Sequence, residues 1–312
     1  SQYRSRWSDM KRRRSRTPNL RFKHFVSSNP PVTYRAILWM MAMVLSFAAM
    51  VICVRLLGDS ISSVEQVFLR SVFGLIFMLA ALTRRGGLPR IHTNRLGMHF
   101  IRAALTYLGV ATWFYALTHM DLAEAVAIHF TLPLFGIVFA IVFLKEQVTI
   151  DRWIATVIGF AGALVIIRPG IVELQPIAFV VLLSAAAYGA GDIALKSLSE
   201  TESSALTVLL LNFFLVPMSL VPALFDWTWP NWESVPVILL LGLTGVSAHY
   251  CLARSMALAD ASVVIPMEFL RLPILAAAGY WLFDEVPDRW ALVGAVIICG
   301  ATYYMTRKSG RR

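Results

Sequence analysis

The sequence predicts an all-α integral membrane protein in which ten transmembrane helices form two inverted five-helix repeats. Three observations lead to this fold class: an apolar composition, ten apolar runs of membrane length, and motifs that recur in both halves. Of the 312 residues, 58% are hydrophobic and 15% are charged, and the mean hydropathy is +0.69. Soluble domains carry about 25% charged residues, so this composition excludes both a water-soluble globule and a disordered chain.

Ten apolar runs give the predicted spans. Each run approaches the ~20 residues that a helix needs to cross ~30 Å of hydrocarbon. No run shows the two-residue alternation of a membrane barrel strand, so helices are predicted throughout. The predicted spans are residues 34–54, 64–83, 98–118, 123–144, 152–168, 175–195, 205–225, 234–254, 262–283 and 289–306.

The positions of lysine and arginine predict the orientation. With both termini in the cytoplasm, the inner segments hold 22 of the 28 Lys and Arg residues and the outer loops hold three. Such an excess on the inner side is the bias that sets membrane topology. Residues 1–33 are therefore predicted to be a basic cytoplasmic tail attracted to anionic membrane lipid, and residues 307–312 a short cytoplasmic C-terminal tail. Because the charges gather at the chain ends, no nucleic-acid partner is expected.

The two halves of the chain, residues 34–168 and 175–306, carry the same motifs in the same order, with spacings that agree within one or two residues. Each half holds five predicted helices, an odd number, so the second copy must enter the membrane inverted. Inverted repeats place a substrate site near the bilayer midplane. The matched positions are Asp121, Phe130, Pro133, Glu146 and Asp151-Arg152-Trp153 in the first half, and Asp260, Phe269, Pro273, Glu285 and Asp288-Arg289-Trp290 in the second.

This order of motifs resembles the EamA-type half-repeat of the drug/metabolite transporter superfamily. Arg70 falls where the first repeat of that family commonly has an arginine in its second helix, whereas the second copy has Leu211 there. The resemblance implies a secondary transporter of a small organic solute in the bacterial inner membrane, without ATP hydrolysis, a cofactor or a metal. The segments that carry it are Pro133-Leu134-Phe135, Glu146 and Gly159-Phe160-Ala161-Gly162 in the first copy, and Pro273-Ile274-Leu275, Glu285 and Gly300-Ala301 in the second.

Glu268 and Arg271 are the first candidates for substrate binding. They lie three residues apart, on one face of the ninth predicted span and near its middle, where an ionisable side chain is costly unless it is paired or solvated. Pro266 and Pro273 flank them and free backbone carbonyls beside the charges. A carboxylate next to a guanidinium could hold the two ends of a zwitterion. The alternative is an ion pair whose two members only neutralise each other.

His129 and Arg70 are further candidates for the site. His129 precedes Phe130 as Glu268 precedes Phe269, so the two are pseudo-equivalent, and both are proton-coupling candidates. The alternative for His129 is a buried imidazole that satisfies a neighbouring backbone group. Arg70 lies about two turns inside the outer end of the second span, where it could contact a substrate anion or extend to the membrane surface.

Other polar and aromatic side chains receive structural or cavity-lining predictions. Asp192 and Lys196 are expected to form an i, i+4 pair. Arg102 and Arg254 are expected to extend to the inner membrane surface, and Glu146 and Glu285 to cap helices or contact loops. The aromatic residues that could line a cavity are Tyr107, Trp113, Tyr188 and Tyr250.

These residues predict a secondary transporter that moves a small polar, zwitterionic or amphiphilic metabolite by alternating access, driven by protons or by exchange. Export of an amino acid or similar metabolite is the main expectation, and uptake of S-adenosylmethionine or a vitamin such as riboflavin is the alternative. A lipid flippase or a membrane enzyme is the alternative from another class, although the six histidines are scattered and no catalytic constellation is found. The transporter is expected to act as a monomer or homodimer.

Overall fold

All regular structure in the described part of the chain is helical, and six of its helices are long and apolar enough to cross a membrane. This confirms the predicted all-α membrane class, while the count of ten spans stays a prediction. The computed structural model describes residues 34–58, 60–84, 93–119, 122–129, 131–146, 148–167, 176–283, 290, 293–294, 296–297, 300–301 and 303–304.

The helices follow one another along the chain with short connections, and six of them have membrane length: α1, α2, α3, α7, α8 and α9. A 3₁₀ turn, Trp232–Ser234, leads into α9, and a longer 3₁₀ segment, Ile265–Leu270, joins α10 to α11. The described residues between 290 and 304 are also helical. The bounds are α1 Tyr34–Leu57, α2 Ser63–Arg84, α3 Leu96–His119, α4 Leu122–His129, α5 Leu132–Leu144, α6 Ile150–Ile167, α7 Ile177–Ser199, α8 Ser204–Ala223, α9 Val235–Met256, α10 Ala261–Val264 and α11 Arg271–Phe283.

Two of the predicted spans, residues 123–144 and 262–283, are broken instead of continuous. The first divides into α4 and α5, where the Thr131 hydroxyl donates to the Ile128 carbonyl at 2.8 Å and Pro133 supplies no backbone donor. The second passes through the 3₁₀ segment, in which Pro266 occupies an early position. The sequence marks both places with proline, but it does not specify the change of winding that the structure has.

The 3₁₀ segment is seated against α5 and α6 by glycines. A Cβ atom built on Gly159 of α6 would lie 2.8 Å from the Phe269 ring, and one built on Gly136 of α5 would lie 2.8 Å from the Ile265 side chain. Small residues let helices approach closely inside a membrane. The two glycines therefore leave the space that the apolar side chains of this segment occupy.

The helix packing joins the two halves of the sequence. The most extensive contacts are those of α9 with α1 and of α7 with α3, followed by those of α2 with α8 and α9. The α2 and α9 backbones meet at Gly74 and Gly242: a Cβ atom on Gly242 would lie 2.5 Å from the Phe73 Cβ and 3.3 Å from the Gly74 nitrogen. The core is therefore built mainly between halves and not within each of them.

Lys196 does not form the predicted pair with Asp192. Its Nζ donates to the carbonyl oxygens of Met256 at 3.0 Å and Ala259 at 2.9 Å, which lie at the end of α9 and just beyond it. The last carbonyls of a helix have no partner within the helix and carry its negative partial charge, so they attract a cation as strongly as a surface carboxylate would. Spacing along α7 alone could not reveal these competing acceptors.

Arg102 does not extend to the membrane surface as predicted. Its side chain is buried, and its Nη1 donates to the Thr207 carbonyl of α8 at 2.8 Å. Just before α3, Arg95 donates to the Ser197 carbonyl of α7 at 2.7 Å and to the hydroxyl of Thr201, just beyond α7, at 3.0 Å. These arginines connect α3 to its neighbours, because each finds free acceptors closer than the headgroup region.

Replacing Gly242 by alanine tests the close approach of α2 and α9. The added methyl group meets the Phe73 Cβ, which is fixed to the backbone and cannot rotate away, so Gly242→Ala should destabilise the protein by about 1–3 kcal/mol. The measurement is the melting temperature of the purified protein in detergent. Gly97→Ala is the control, because nothing lies within 4 Å of that position. Equal melting temperatures for the two variants would contradict the packing described.

Candidate functional site

The central cavity of the described structure lies among six elements: α1, α2, α5, α7, α9 and the junction of the 3₁₀ segment with α11. Apolar side chains, including Phe47 and Met43, form part of its wall. Polar and charged side chains converge on the same space although they lie far apart in the sequence. These polar residues are Arg70, Tyr188, Asp192, His249, Glu268 and Arg271.

The cavity lies at mid-membrane depth. Phe47 is the fourteenth of the 24 residues of α1, Tyr188 the twelfth of the 23 of α7, and His249 the fifteenth of the 22 of α9. His249 is the nearest of the three to a helix end, at about two turns before Met256, and each turn rises about 5.4 Å. Charged side chains at this depth are expected only where they pair or where they line a path for a polar solute.

Glu268 and Arg271 form a buried ion pair at one side of the cavity. The Arg271 Nη2 donates to Glu268 Oε2, and both side chains are almost fully buried. The Arg271 guanidinium carbon also lies 4.2 Å from the centroid of the Phe47 ring, a cation–π arrangement that holds the pair against α1. The pair spans the junction of two elements, since Glu268 lies in the 3₁₀ segment and Arg271 is the first residue of α11.

Arg70 has no such partner. Its side chain is buried, and its Nε and Nη1 atoms lack a hydrogen-bond partner among the described residues. Gly245 of α9 leaves room for it: a Cβ atom there would lie 2.5 Å from the Arg70 Nε. The Tyr188 hydroxyl, on the same cavity, also lacks a partner in the described part of the chain. A buried guanidinium with unused donors is a place where an anion can bind.

Asp192 and His249 line the cavity although neither was predicted to belong to the site. Asp192 follows Tyr188 by four residues and therefore shares its helix face. That spacing was the signal that could have found it, but the nearby Lys196 offered a simpler explanation. His249 could have been found only as an ionisable residue within a span.

His129 and Trp113 lie behind the cavity wall. The His129 ring lies 4.2 Å from Trp113 and 5.6 Å from Tyr188, measured between ring centroids. Both His129 and Trp113 are buried, and the His129 Nε2 and Trp113 Nε1 atoms have no hydrogen-bond partner among the residues that the structure describes. His129 therefore reaches the cavity through Tyr188 and not directly.

Tyr107 and Tyr250 lie away from these residues. Tyr107 packs beside Ala103 and Leu211, at the contact of α3 with α8. Tyr250 lines a separate apolar cavity between α2, α8 and α9, where its ring meets Trp39 edge to face at 5.9 Å. The structure thus brings together Glu268, Arg271, Arg70 and Tyr188, places Trp113 and His129 next to them, and separates the other two tyrosines.

Glu146 makes the capping contact that the sequence predicts. Its carboxylate accepts a hydrogen bond at 3.1 Å from the backbone nitrogen of Ala261, the first residue of α10. This contact connects the loop after α5 with the start of the broken ninth span. The matching prediction for Glu285 lies outside the described residues, as do Phe130 and the side chain of Pro273.

Known proteins with this sequence pattern are transporters and not enzymes. An S-adenosylmethionine uptake transporter of Rickettsia felis is 30% identical over 267 residues, which cover 86% of this chain and 90% of the relative. A riboflavin transporter of Rhizobium johnstonii is 31% identical over 278 residues, with coverage of 88% and 92%. A solved crystal structure has the same fold, with a TM-score of 0.75 over 88% of this chain and 98% of that one, at 16% identity. The EamA-like transporter family matches residues 34–168 and again residues 175–307, so this multi-pass membrane protein belongs to that family.

Proposed function

We propose that this protein takes up S-adenosylmethionine, or a very similar cationic zwitterion, across the bacterial inner membrane by alternating access. The observation that carries the proposal is the central cavity, whose lining includes Arg70, a guanidinium with donors that have no partner among the described residues, and the carboxylates of Asp192 and Glu268. A cavity with both signs of charge at mid-membrane depth suits a solute that carries both signs. The relatives named for S-adenosylmethionine uptake support the same substrate.

The walls of the cavity suit the rest of such a molecule. Phe47 and Tyr188 meet edge to face with centroids 6.5 Å apart, and Met43 adds a polarisable apolar surface. Aromatic and thioether side chains favour contact with a purine base. An amino acid would use the charges and leave this apolar surface uncovered, so amino-acid export is supported less well than uptake of a nucleoside-bearing zwitterion.

Alternating access is proposed from the arrangement of the two halves. The α1–α9 contact becomes the α7–α3 contact when the first and second halves exchange places, and these are the two largest contacts in the fold. Such a pattern supports two repeats related by a two-fold axis, with the cavity between them. Cytoplasmic termini, five helices in each repeat and proton coupling through Glu268 or His129 belong to the same proposal.

Riboflavin uptake is the second candidate. Relatives named as riboflavin transporters are as similar to this chain as those named for S-adenosylmethionine, and the aromatic walls could hold a flavin ring. The charged residues favour the first candidate, because a neutral flavin would leave the Arg70 guanidinium without an anion. A saturable uptake of labelled riboflavin into proteoliposomes, with none of labelled S-adenosylmethionine, would overturn the main proposal.

Arg70 should be required for transport and not for folding. In Arg70→Ala, the anion-binding donors are lost, so uptake of S-adenosylmethionine into proteoliposomes should fall by about tenfold or more. The melting temperature should fall only modestly, because the packing lost beside Gly245 is offset by removal of a buried charge that has unpartnered donors among the described residues. Arg84→Ala is the matched control, since Arg84 is exposed at the end of α2. Full transport by Arg70→Ala would contradict the role assigned to this residue.

The Glu268–Arg271 pair should contribute to both stability and transport, and a double variant separates the two. Glu268→Gln alone leaves a buried guanidinium uncompensated, which should lower the free energy of unfolding by about 3–5 kcal/mol. Replacing both residues by leucine removes both charges and should restore the melting temperature without restoring uptake. Normal uptake by the stable double variant would show that the two residues only neutralise each other and have no role in transport.

A further inference from the structure

Asp192 occupies a buried position that faces the central cavity. It lies on α7, one helical turn after Tyr188, and its side chain is only 7% exposed. The carboxylate and the Tyr188 hydroxyl therefore present two polar groups to the cavity from one helix face. Tyr188 lies within electrostatic range of two cations, Arg70 and Arg271, and of the two carboxylates, Asp192 and Glu268.

No described residue forms a hydrogen bond or an ion pair with the Asp192 carboxylate, because the cations around it are used elsewhere. Lys196, one turn further along α7, donates to the carbonyl groups at the end of α9. Arg102 donates to the Thr207 carbonyl, and Arg271 is paired with Glu268. The like-charged Glu268 and the cations Arg102 and Arg271 still act on Asp192 electrostatically, but neither arginine has a direct contact with it.

An ionised carboxylate that is buried without a partner is costly, and a cation that binds to it removes most of that cost. Glu268 does not have this requirement, since Arg271 already neutralises it. The two carboxylates of the cavity therefore differ in what they can still bind. Asp192 is the one whose acceptor oxygens are open to a ligand.

We propose that Asp192 binds the positively charged sulfonium group of the substrate. This contact makes the cavity selective for a cationic zwitterion over an analogue that lacks the sulfonium charge. This inference rests on the proposed function. Arg70, on the same cavity, binds the carboxylate of the same molecule, so the substrate lies between Arg70 and Asp192. Glu268 and Arg271 take neither charge of the substrate, and their part in transport is the proton coupling proposed above.

The test compares two ligands that differ in one charge. S-adenosylmethionine carries a sulfonium cation, while S-adenosylhomocysteine has the same adenosine and amino-acid ends joined by a neutral thioether. The purified full-length protein should bind the first more tightly. In Asp192→Asn this preference should fall by about tenfold to a hundredfold, because the sulfonium then meets an uncharged amide, while affinity for the thioether should change little.

Glu233→Gln is the matched control, since it removes one carboxylate from the exposed turn before α9 and should leave both affinities unchanged. An Asp192→Asn protein that keeps the preference would overturn the role of Asp192 and leave the proposed function standing. If the unaltered protein binds neither ligand, the proposed function fails and this inference fails with it. If Asp192→Asn binds neither ligand, the Asp192→Glu variant, which keeps the negative charge, is measured instead. A preference of this variant for S-adenosylmethionine supports the inference, and the loss of that preference overturns it.

Discussion

The need to neutralise charge inside hydrocarbon governs the centre of this protein. Glu268, in the 3₁₀ segment, and Arg271, the first residue of α11, neutralise each other beside Phe47. Charged groups that are held at this depth mark function in membrane proteins, because lipid would select against them elsewhere. Keeping this pair away from lipid accounts for the break in the ninth span and for the glycines of α5 and α6 that pack against the 3₁₀ segment. It also accounts for the shape of the cavity.

The cavity also depends on contacts between the halves of the chain. α1 packs on α9 and α3 packs on α7, so residues from both halves surround the same space. Arg70 and Tyr188 each hold polar atoms without a hydrogen-bond partner in the described protein, and the Asp192 carboxylate has no direct partner there either. A site assembled between halves, with polar atoms held free, is suited to a ligand that completes it and then leaves.

Much of the fold could be predicted from sequence, because the length and hydropathy of each run report directly on membrane spanning. Glu268 and Arg271 could be found as well, since spacing along a helix decides whether two residues meet. Asp192 was assigned to a pair with Lys196 instead, and the sequence could not show that Lys196 binds carbonyl oxygens some 60 residues away. Arg102 was misjudged for the same reason. Sequence spacing describes neighbours on one helix, whereas these side chains are held by acceptors on another.

The 3₁₀ segment has a mechanical consequence. Six residues wound as 3₁₀ rise about 12 Å and turn about 720°, whereas the same residues wound as α-helix rise about 9 Å and turn about 600°. Rewinding this stretch would twist α11 by about 120° relative to α10 and draw it in by about 3 Å. Because Arg271 begins α11, its guanidinium would then rotate about the helix axis. The 3₁₀ segment would act as a torsional joint beside the charged residues of the cavity.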